Sequence, residues 1–346
     1  MFYEPEEDSH FMVECIKNLK HDSVQSALDV GTGSGILAQA LCESYPGAKV
    51  IGIDINDEAL AHAKSTVMGN FDARKSDLFE NVTEEFDVIV CNPPYLPQNK
   101  LDDMSDVYTH ALIGGKRGYE YIIRFLDEVH LYMKQGCKVL LLFSNLSNKD
   151  HIDHYVLNSM YEYTQIAKKH VGMMEDLYIY ELTLPDVVHT LKNPEFVSRG
   201  KRGMIVKGGL NEQIVCAKIP QDKLYGERMI LKEVTFLKRA NKLGIGPKYI
   251  SHTKDYVLME FVEGVIWQHW VKTASKKDIR CVLADVMKQC ELLDSENMTK
   301  QEMTNPTKHI IIRPKGSACL LDFERTTITN RGKNVGQFEQ FCRKFE

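Results

Sequence analysis

The chain has 346 residues, of which 43% are hydrophobic and 26% charged, and its formal net charge is −5. That balance describes an ordinary globular protein long enough for about two domains, and it excludes disordered, collagenous and disulfide-framework chains. No apolar run approaches the ~20 residues of a membrane span, and the acidic opening MFYEPEEDSH lacks the basic-then-apolar pattern of a secretory leader. Nine cysteines are scattered at positions 15, 42, 91, 137, 216, 281, 290, 319 and 342 without a CxxC pair. This spacing suggests neither a zinc site nor disulfides and predicts a reducing, cytoplasmic setting.

The charge is unevenly placed. Residues 1–190 carry 15 basic and 30 acidic side chains, a net of −15, while the rest of the chain carries 28 basic and 18 acidic, a net of +10. Opposed halves suggest two domains with different partners or a mutual attraction. The acidic half is a poor electrostatic match for bare nucleic acid. The basic half suits contact with RNA, a ribosome or an acidic protein.

The first half alternates strand and helix signals. VQSALDV reads as a strand ending in a Gly-rich turn, ILAQALCESY as a helix, and VIGIDI as the next strand. NDEALAHAKSTVMGN has a capping residue, Asn56 or Asp57, at its start and Gly69-Asn70 at its end, as a helix should. EFDVIV is a strand. GYEYIIRFLDEVHLYMKQG reads as a helix with a Gly stop, KVLLLFS as a buried strand, DHIDHYVLNSMYEYTQIAKKH as a helix and EDLYIYELTL as an edge strand. Such alternation predicts a doubly wound, mostly parallel Rossmann-like sheet over residues 1–192. Lys192-Asn193-Pro194 reads as a linker, and a different rhythm of short strands and long helices fills 196–346.

Chemistry concentrates at the predicted strand ends. Asp29-Val-Gly31-Thr32-Gly33-Ser-Gly35 lies between strand and helix, where glycines let backbone approach a ligand and leave helix N–H groups facing it. Asp54 ends the next strand, placed to accept hydrogen bonds from ribose hydroxyls. Asp77, in SDLF, can take an adenine amino group. Asn92-Pro93-Pro94-Tyr95 follows the fourth strand. Its two prolines donate nothing and cannot continue a ladder or helix, so the corner offers an amide, bare carbonyls and a ring to something flat that donates hydrogen bonds.

In that order, DVGTGSG, Asp54, Asp77 and NPPY resemble the class I S-adenosylmethionine methyltransferases that act on planar nitrogen. The resemblance makes Asp29, Gly31, Thr32, Gly33, Gly35, Asp54, Asp77 and Asn92 the cofactor-binding set, and Asn92, Pro93 and Tyr95 catalytic. The Asn92 oxygen and the Pro93 carbonyl would accept both N–H bonds of an NH2 group while Tyr95 packs on it. Positioning and charge stabilisation then do the work, without a covalent intermediate.

Tyr3-Glu4-Pro5-Glu6-Glu7-Asp8-Ser9 and Gly114-Gly115-Lys-Arg-Gly118 resemble signatures of the archaeal and eukaryotic branch of HemK/PrmC-type release-factor glutamine methyltransferases. This resemblance covers roughly residues 1–190. It implies N5-methylation of the glutamine in the GGQ motif of a peptide-chain release factor, and a small zinc-binding activator subunit as a partner. HALIGG lacks the Trp that family members often carry before the GG pair. NPPY by itself also fits an adenine-N6 methyltransferase acting on RNA or DNA, with the basic second half as the docking module for nucleic acid.

The second half carries its own ordered set. SRGKRGMIV, with Gly200 and Gly203, precedes VCAKI with Lys218, as a Gly-bearing hairpin and an inward Lys open a protein-kinase domain. Glu233 follows fifteen residues on, on an amphipathic helix. YVLMEFVEG, with Glu260, fits a hinge over adenine, and LLDFERT supplies Asp322. With GIGP and Lys300-Gln-Glu302-Met-Thr-Asn-Pro-Thr-Lys308-His309, the set resembles the small RIO/Bud32-like kinases of archaea. That resemblance implies a small α+β kinase-like domain binding ATP and Mg2+, a possible Ser/Thr kinase or ATPase. Glu302 takes the base position, and Asp322 and His309 the metal side. A docking module that senses nucleotide and touches a ribosome or tRNA, without phosphotransfer, is the other reading of this half. His151 and His154 read as surface residues, Cys91 as a small buried residue, and Trp267 and Trp270 as packing.

Overall fold

A computed structural model describes residues 5–21, 23–98, 112–221 and 225–345. The chain forms two compact units, 1–189 and 190–346. Among the described residues no helix is long and apolar enough to cross a membrane.

The first unit is built on a seven-stranded sheet. Strands β1 (Ser26–Val30), β2 (Lys49–Asp54), β3 (Phe71–Lys75) and β4 (Phe86–Cys91) come first. A short pair, β5 (Leu96–Pro97) and β6 (Ile113–Gly115), lies apart from the main sheet. Then come β7 (Met133–Ser144), β8 (Glu162–Val171) and β9 (Glu175–Thr183), in the spatial order β3-β2-β1-β4-β7-β9-β8. The five strands from β3 to β7 run parallel, and β9 and β8 pair antiparallel. Strand order reverses between β1 and β4, which opens a crevice at the carboxyl ends of those two strands. Both DVGTGSG and NPPY leave the sheet there.

Among the described residues, the longer helices beside the sheet are α1 (Glu7–Asn18), α2 (Ile36–Ser44), α3 (Asp57–Thr66), α4 (Glu120–Glu128) and α5 (Lys149–Leu157). Asn56 caps α3, its side chain accepting the Glu58 N–H at 2.9 Å. On α4, Ile122, Phe125 and Leu126 are buried at helical spacing. Phe11, Met12 and Ile16 of α1 enter the core with Val88, Val90 and Leu140 of the sheet.

Three readings of the sequence are corrected here. The helix over GYEYIIRFLDEVHLYMKQG stops at Glu128, and Met133–Gly136 already belongs to β7. The helix over DHIDHYVLNSMYEYTQIAKKH stops at Leu157, and its second half is β8, where Tyr163, Thr164 and Ile166 favour a strand. That makes β8 the sheet edge and puts EDLYIYELTL, expected at the edge, inside as β9.

The second unit opens with β10 (Lys192–Gly200), β11 (Gly203–Leu210), β12 (Gln213–Pro220), β13 (Tyr249–His252) and β14 (Val257–Glu260). They form an antiparallel sheet in the order β10-β11-β12-β14-β13. Lys192-Asn193-Pro194 is therefore strand and not linker: a register shift between Lys192 and Glu195 absorbs the proline. Helix α6 (Gly226–Lys242) follows the third strand, and α7 (Lys276–Ser295) and α8 (Asn334–Cys342) surround small two- and three-stranded sheets. Their shared core holds Leu237, Trp267, Val286, Phe323 and Phe338. Trp270 packs on its flank.

Candidate functional site

The cleft of the first unit is lined by the β1 turn (Gly31, Thr32, Gly33), by Asp54 and Asp77, and by Asn92 and Pro94. Gly31 and Gly33 have φ of +73° and +50°, a left-handed backbone that costs little only for glycine. The N–H groups that the sequence placed toward a ligand are used within the fold, those of Gly31 and Thr32 both reaching the Ile53 carbonyl at 2.8 and 2.9 Å. Asp54 accepts the Gly33 N–H through one oxygen and the Asn56 N–H through the other, both at 2.9 Å. Each oxygen keeps a lone pair for a further donor. Asp77 is bridged by Arg124 at 3.1 Å.

Two expected cofactor contacts do other work. Asp29 is fully buried and does not line the cleft. One of its oxygens accepts both Thr32 Oγ1 at 2.7 Å and the Ala38 N–H at 3.1 Å, tying the turn to α2. Its other oxygen has no partner among the described residues. Burial pushes this carboxyl up to about 7, against the opposing pull of the Thr32 and Ala38 bonds. Gly35, at φ +84°, is required by packing: a Cβ there would meet Val67 Cγ2 at 2.6 Å.

At the NPPY corner, Asn92 Nδ2 donates to Asp8 Oδ2 at 3.1 Å, and Asn92 Oδ1 is buried without a partner among the described residues. Tyr95 does not line the cleft. Its hydroxyl donates to the same Asp8 oxygen at 3.3 Å, and its ring packs against the core. Pro93 is buried and also outside the lining.

GGKRG comes against this corner. A Cβ on Gly114 would lie 2.5 Å from the Pro94 carbonyl, and one on Gly118 would lie 2.5 Å from that of Tyr95. Backbone thus packs on backbone, which only glycine permits. Tyr3, Glu4, His110 and Ala111 lie outside the described residues.

Reading the sequence missed Ser9 and Tyr121, which line the cleft, and Arg124. Tyr121 and Arg124 are three apart on α4, hence on one face, a signal present but not used. Burial raises the Tyr121 hydroxyl well above its usual range. His151 stacks on Tyr119, ring centres 4.0 Å apart.

The cleft passes a test of fit for S-adenosylmethionine. It offers a glycine turn, a ribose-height acid with spare lone pairs, and an amide whose oxygen has no partner among the described residues. Fold and cleft together make the first unit a class I methyltransferase that takes S-adenosylmethionine as methyl donor.

Comparison with known proteins narrows the class. The methyltransferase small domain family matches residues 4–115. A putative protein N5-glutamine methyltransferase of Methanocaldococcus jannaschii is 38% identical over 150 residues, which cover 42% of this chain and 74% of that protein. A release factor glutamine methyltransferase of Koribacter versatilis is 34% identical over 143 residues, 38% of this chain and 51% of that protein. A ribosomal protein uL3 glutamine methyltransferase of Francisella tularensis is 35% identical over 134 residues, 36% and 43%. A chain solved in the E. cuniculi Mtq2–Trm112 complex aligns at 24% identity and TM-score 0.43, covering 53% of this chain and 99% of that one. The chain belongs to the protein N5-glutamine methyltransferase family, and it spans about half the length of the release factor glutamine methyltransferases it matches.

The second unit gathers its own cluster. Lys218 on β12 lies 2.9 Å from Glu233 on α6, 2.7 Å from Asp322 and 3.0 Å from Glu324. Glu233 also accepts the Phe323 N–H at 3.0 Å. Burial opposes the Lys218 charge, but the three carboxylates outweigh it and hold the ammonium above the usual lysine range. Burial likewise opposes the Asp322 carboxylate, but Lys218, with Lys300 and His309 beside it, outweighs burial and holds Asp322 below its ordinary value.

His309 Nε2 meets Glu302 at 2.7 Å, and its Nδ1 lies 3.5 Å from Asp322. Arg202, at the tip of the RGKRG hairpin, reaches Glu324 at 2.7 Å. Gly203 shapes that hairpin, since a Cβ there would lie 2.2 Å from the Ile219 carbonyl, whereas a Cβ on Gly200 would meet nothing within 4 Å. Glu260 is spoken for: its carboxylate accepts Arg313 at 2.8 Å and the Lys248 N–H at 3.1 Å. Glu324 and Arg202 carried no signal as members of this cluster.

Proposed function

We propose that the first unit methylates the side-chain amide nitrogen of the glutamine in the GGQ motif of a peptide-chain release factor. The observation that carries this reading is the buried Oδ1 of Asn92 beside the cleft, which has no partner among the described residues. It is an acceptor for an N–H, beside prolines that have none to give. Support for glutamine comes from the names of the relatives. Support for a protein acceptor comes from the net charge of −15 over residues 1–190, which disfavours a polyanion.

When bound, S-adenosylmethionine supplies a methyl group activated on a sulfonium. The chain supplies the rest. Gly31, Thr32 and Gly33 present the turn, Asp54 accepts ribose hydroxyls, and Asp77 accepts an adenine amine. An amide nitrogen is a poor nucleophile because its lone pair is delocalised. Asn92 Oδ1 accepts one of its hydrogens, fixes its direction and favours loss of planarity. Pro93, buried and outside the cleft lining, shapes the corner instead of gripping the acceptor as the sequence suggested. Tyr95, turned toward Asp8, supports the corner from behind instead of stacking on the acceptor. A zinc-binding activator subunit belongs to the same reading, and assay of the chain with and without one tests the need.

The second unit is, in this reading, a kinase-like domain that binds ATP with Mg2+. Its support is the Lys218–Glu233–Asp322 constellation. Glu302, His309 and Asp322 each offer an atom within 4.8 Å of the others. Glu302 and Asp322 also hold left-handed backbone, φ +77° and +67°, a cost usually kept for a site. These residues fit the group: Lys218 for phosphate oxygens, Asp322 and His309 for the cation, Glu302 for the hydroxyl proton of an acceptor. Bound ATP supplies the phosphoryl group.

Labelling with methyl-tritiated cofactor, release factor and its GGQ→GGA variant tests the first assignment. Transfer of γ-phosphate by wild type, Lys218→Ala and Asp322→Ala tests the second.

A further inference from the structure

The Asn92 amide has two chemically opposite edges, and the proposed acceptor needs the one that accepts. We infer that Asp8, in the first turn of α1, is the positioning residue that decides which edge is shown. This rests on the planar-amine reading of the cleft and extends it to a residue 84 positions earlier.

Donor and acceptor chemistry sets the orientation of the Asn92 amide. A carboxylate only accepts. Asn92 lies 3.1 Å from Asp8 Oδ2, so its NH2 must face Asp8. Rotating the amide by half a turn would set its oxygen against a carboxylate oxygen, losing a charge-assisted bond and adding repulsion.

Asp8 cannot turn to relieve that clash. Its other oxygen accepts the Ser9 N–H at 2.6 Å and Ser9 Oγ at 3.2 Å. The residue is only 6% exposed, and Phe11, Met12 and Ile16 lock α1 into the core. The same Oδ2 takes the Tyr95 hydroxyl. One carboxylate therefore fixes both side chains of the NPPY corner, and an Asn92 Oδ1 left without a partner among the described residues is the consequence. The N-terminal segment and the corner thus form one device.

The test exchanges the two groups. In Asp8→Asn the new amide has a single oxygen, which the shorter Ser9 bond claims, so its NH2 faces Asn92 and turns the Asn92 amide the wrong way. We expect kcat to fall about 10–100-fold, the range for loss of a supporting-shell partner, with the dissociation constant for S-adenosylmethionine within about threefold of wild type. In the Asp8→Asn/Asn92→Asp exchange, the carboxylate at 92 accepts from the amide at 8 and keeps an oxygen for the acceptor. The exchange should recover at least tenfold over Asn92→Asp.

Asp8→Asn within twofold of wild-type kcat, or an exchange no better than Asn92→Asp, would overturn the role. A residue serving packing alone predicts that outcome, since the exchange is isosteric. Thermal unfolding of each variant screens for misfolding.

Wild-type turnover on GGQ and on an adenine oligonucleotide reports the acceptor separately. If neither is methylated, the glutamine reading fails and Asp8 is judged from the Asn92 side-chain amide protons by NMR, assigned by their loss in Asn92→Asp. These should shift upfield in Asp8→Ala, and resonances that stay in place overturn the inference.

Discussion

Asp29→Asn isolates one buried charge. Asp29 uses a single oxygen for both of its hydrogen bonds, and the other oxygen has no partner among the described residues. Asparagine can keep both bonds while filling the same volume. In wild type burial pushes the folded carboxyl up to about 7 from an ordinary 3.8.

The folded state therefore holds a proton that the unfolded state gives up. Stability is full below about pH 4 and falls as pH rises through 7. At about 1.4 kcal/mol per unit, wild type loses about 4 kcal/mol from this group across that window. Asparagine loses none.

The assay is urea unfolding of the full chain at several pH values from 4 to 8. The first unit's transition is identified as the one S-adenosylhomocysteine shifts. Subtracting wild type from variant cancels every other titration. The difference should grow in favour of asparagine with rising pH and level off above about 8. A difference that is flat, or that grows in favour of aspartate, would refute burial as the dominant influence on this group.

Other substitutions separate the parts of the site. Asn92→Ala should lower kcat by on the order of 10²-fold, the cost of one transition-state hydrogen bond, while calorimetry finds cofactor affinity nearly intact. Asp54→Ala should show the reverse, with weaker cofactor binding by calorimetry. Gly118→Ala should disrupt the corner and raise the acceptor KM, because its Cβ would press on the Tyr95 carbonyl. On the proposed kinase-like reading of the second unit, Lys218→Ala and Asp322→Ala should each abolish γ-phosphate transfer in a radiolabel assay, and transfer unchanged by either would place the second site elsewhere. Acceptor affinity of the intact chain should depend only weakly on salt, whereas delivery of nucleic acid by the basic half would make it fall steeply.

Much of this architecture was legible because it is local. β1, α2, β2 and α3 follow from apolar period, a capping Asn56 and a Gly-rich turn, each contained in a few residues. β8 was not legible as a strand: its alternation is weak, with an exposed Ile166 and Lys168-Lys169, and the preceding helix has no glycine or proline to stop it. The order of Gly turn, Asp54, Asp77 and Asn92 could be read because each ends a strand of a predictable sheet.

Asp8 gripping Asn92 could not, since no short-range pattern encodes a contact across 84 positions. Glu324 and Arg202, 122 positions apart, were hidden for the same reason. Asp29 and Gly35 stood in the right motif, but only three dimensions reveal that they support the turn from beneath.

The central claim is that this chain transfers a methyl group to a glutamine amide. Incubation with labelled S-adenosylmethionine and a release factor should label the factor at its GGQ glutamine and leave the GGQ→GGA form unlabelled. Equal labelling of both forms would contradict it.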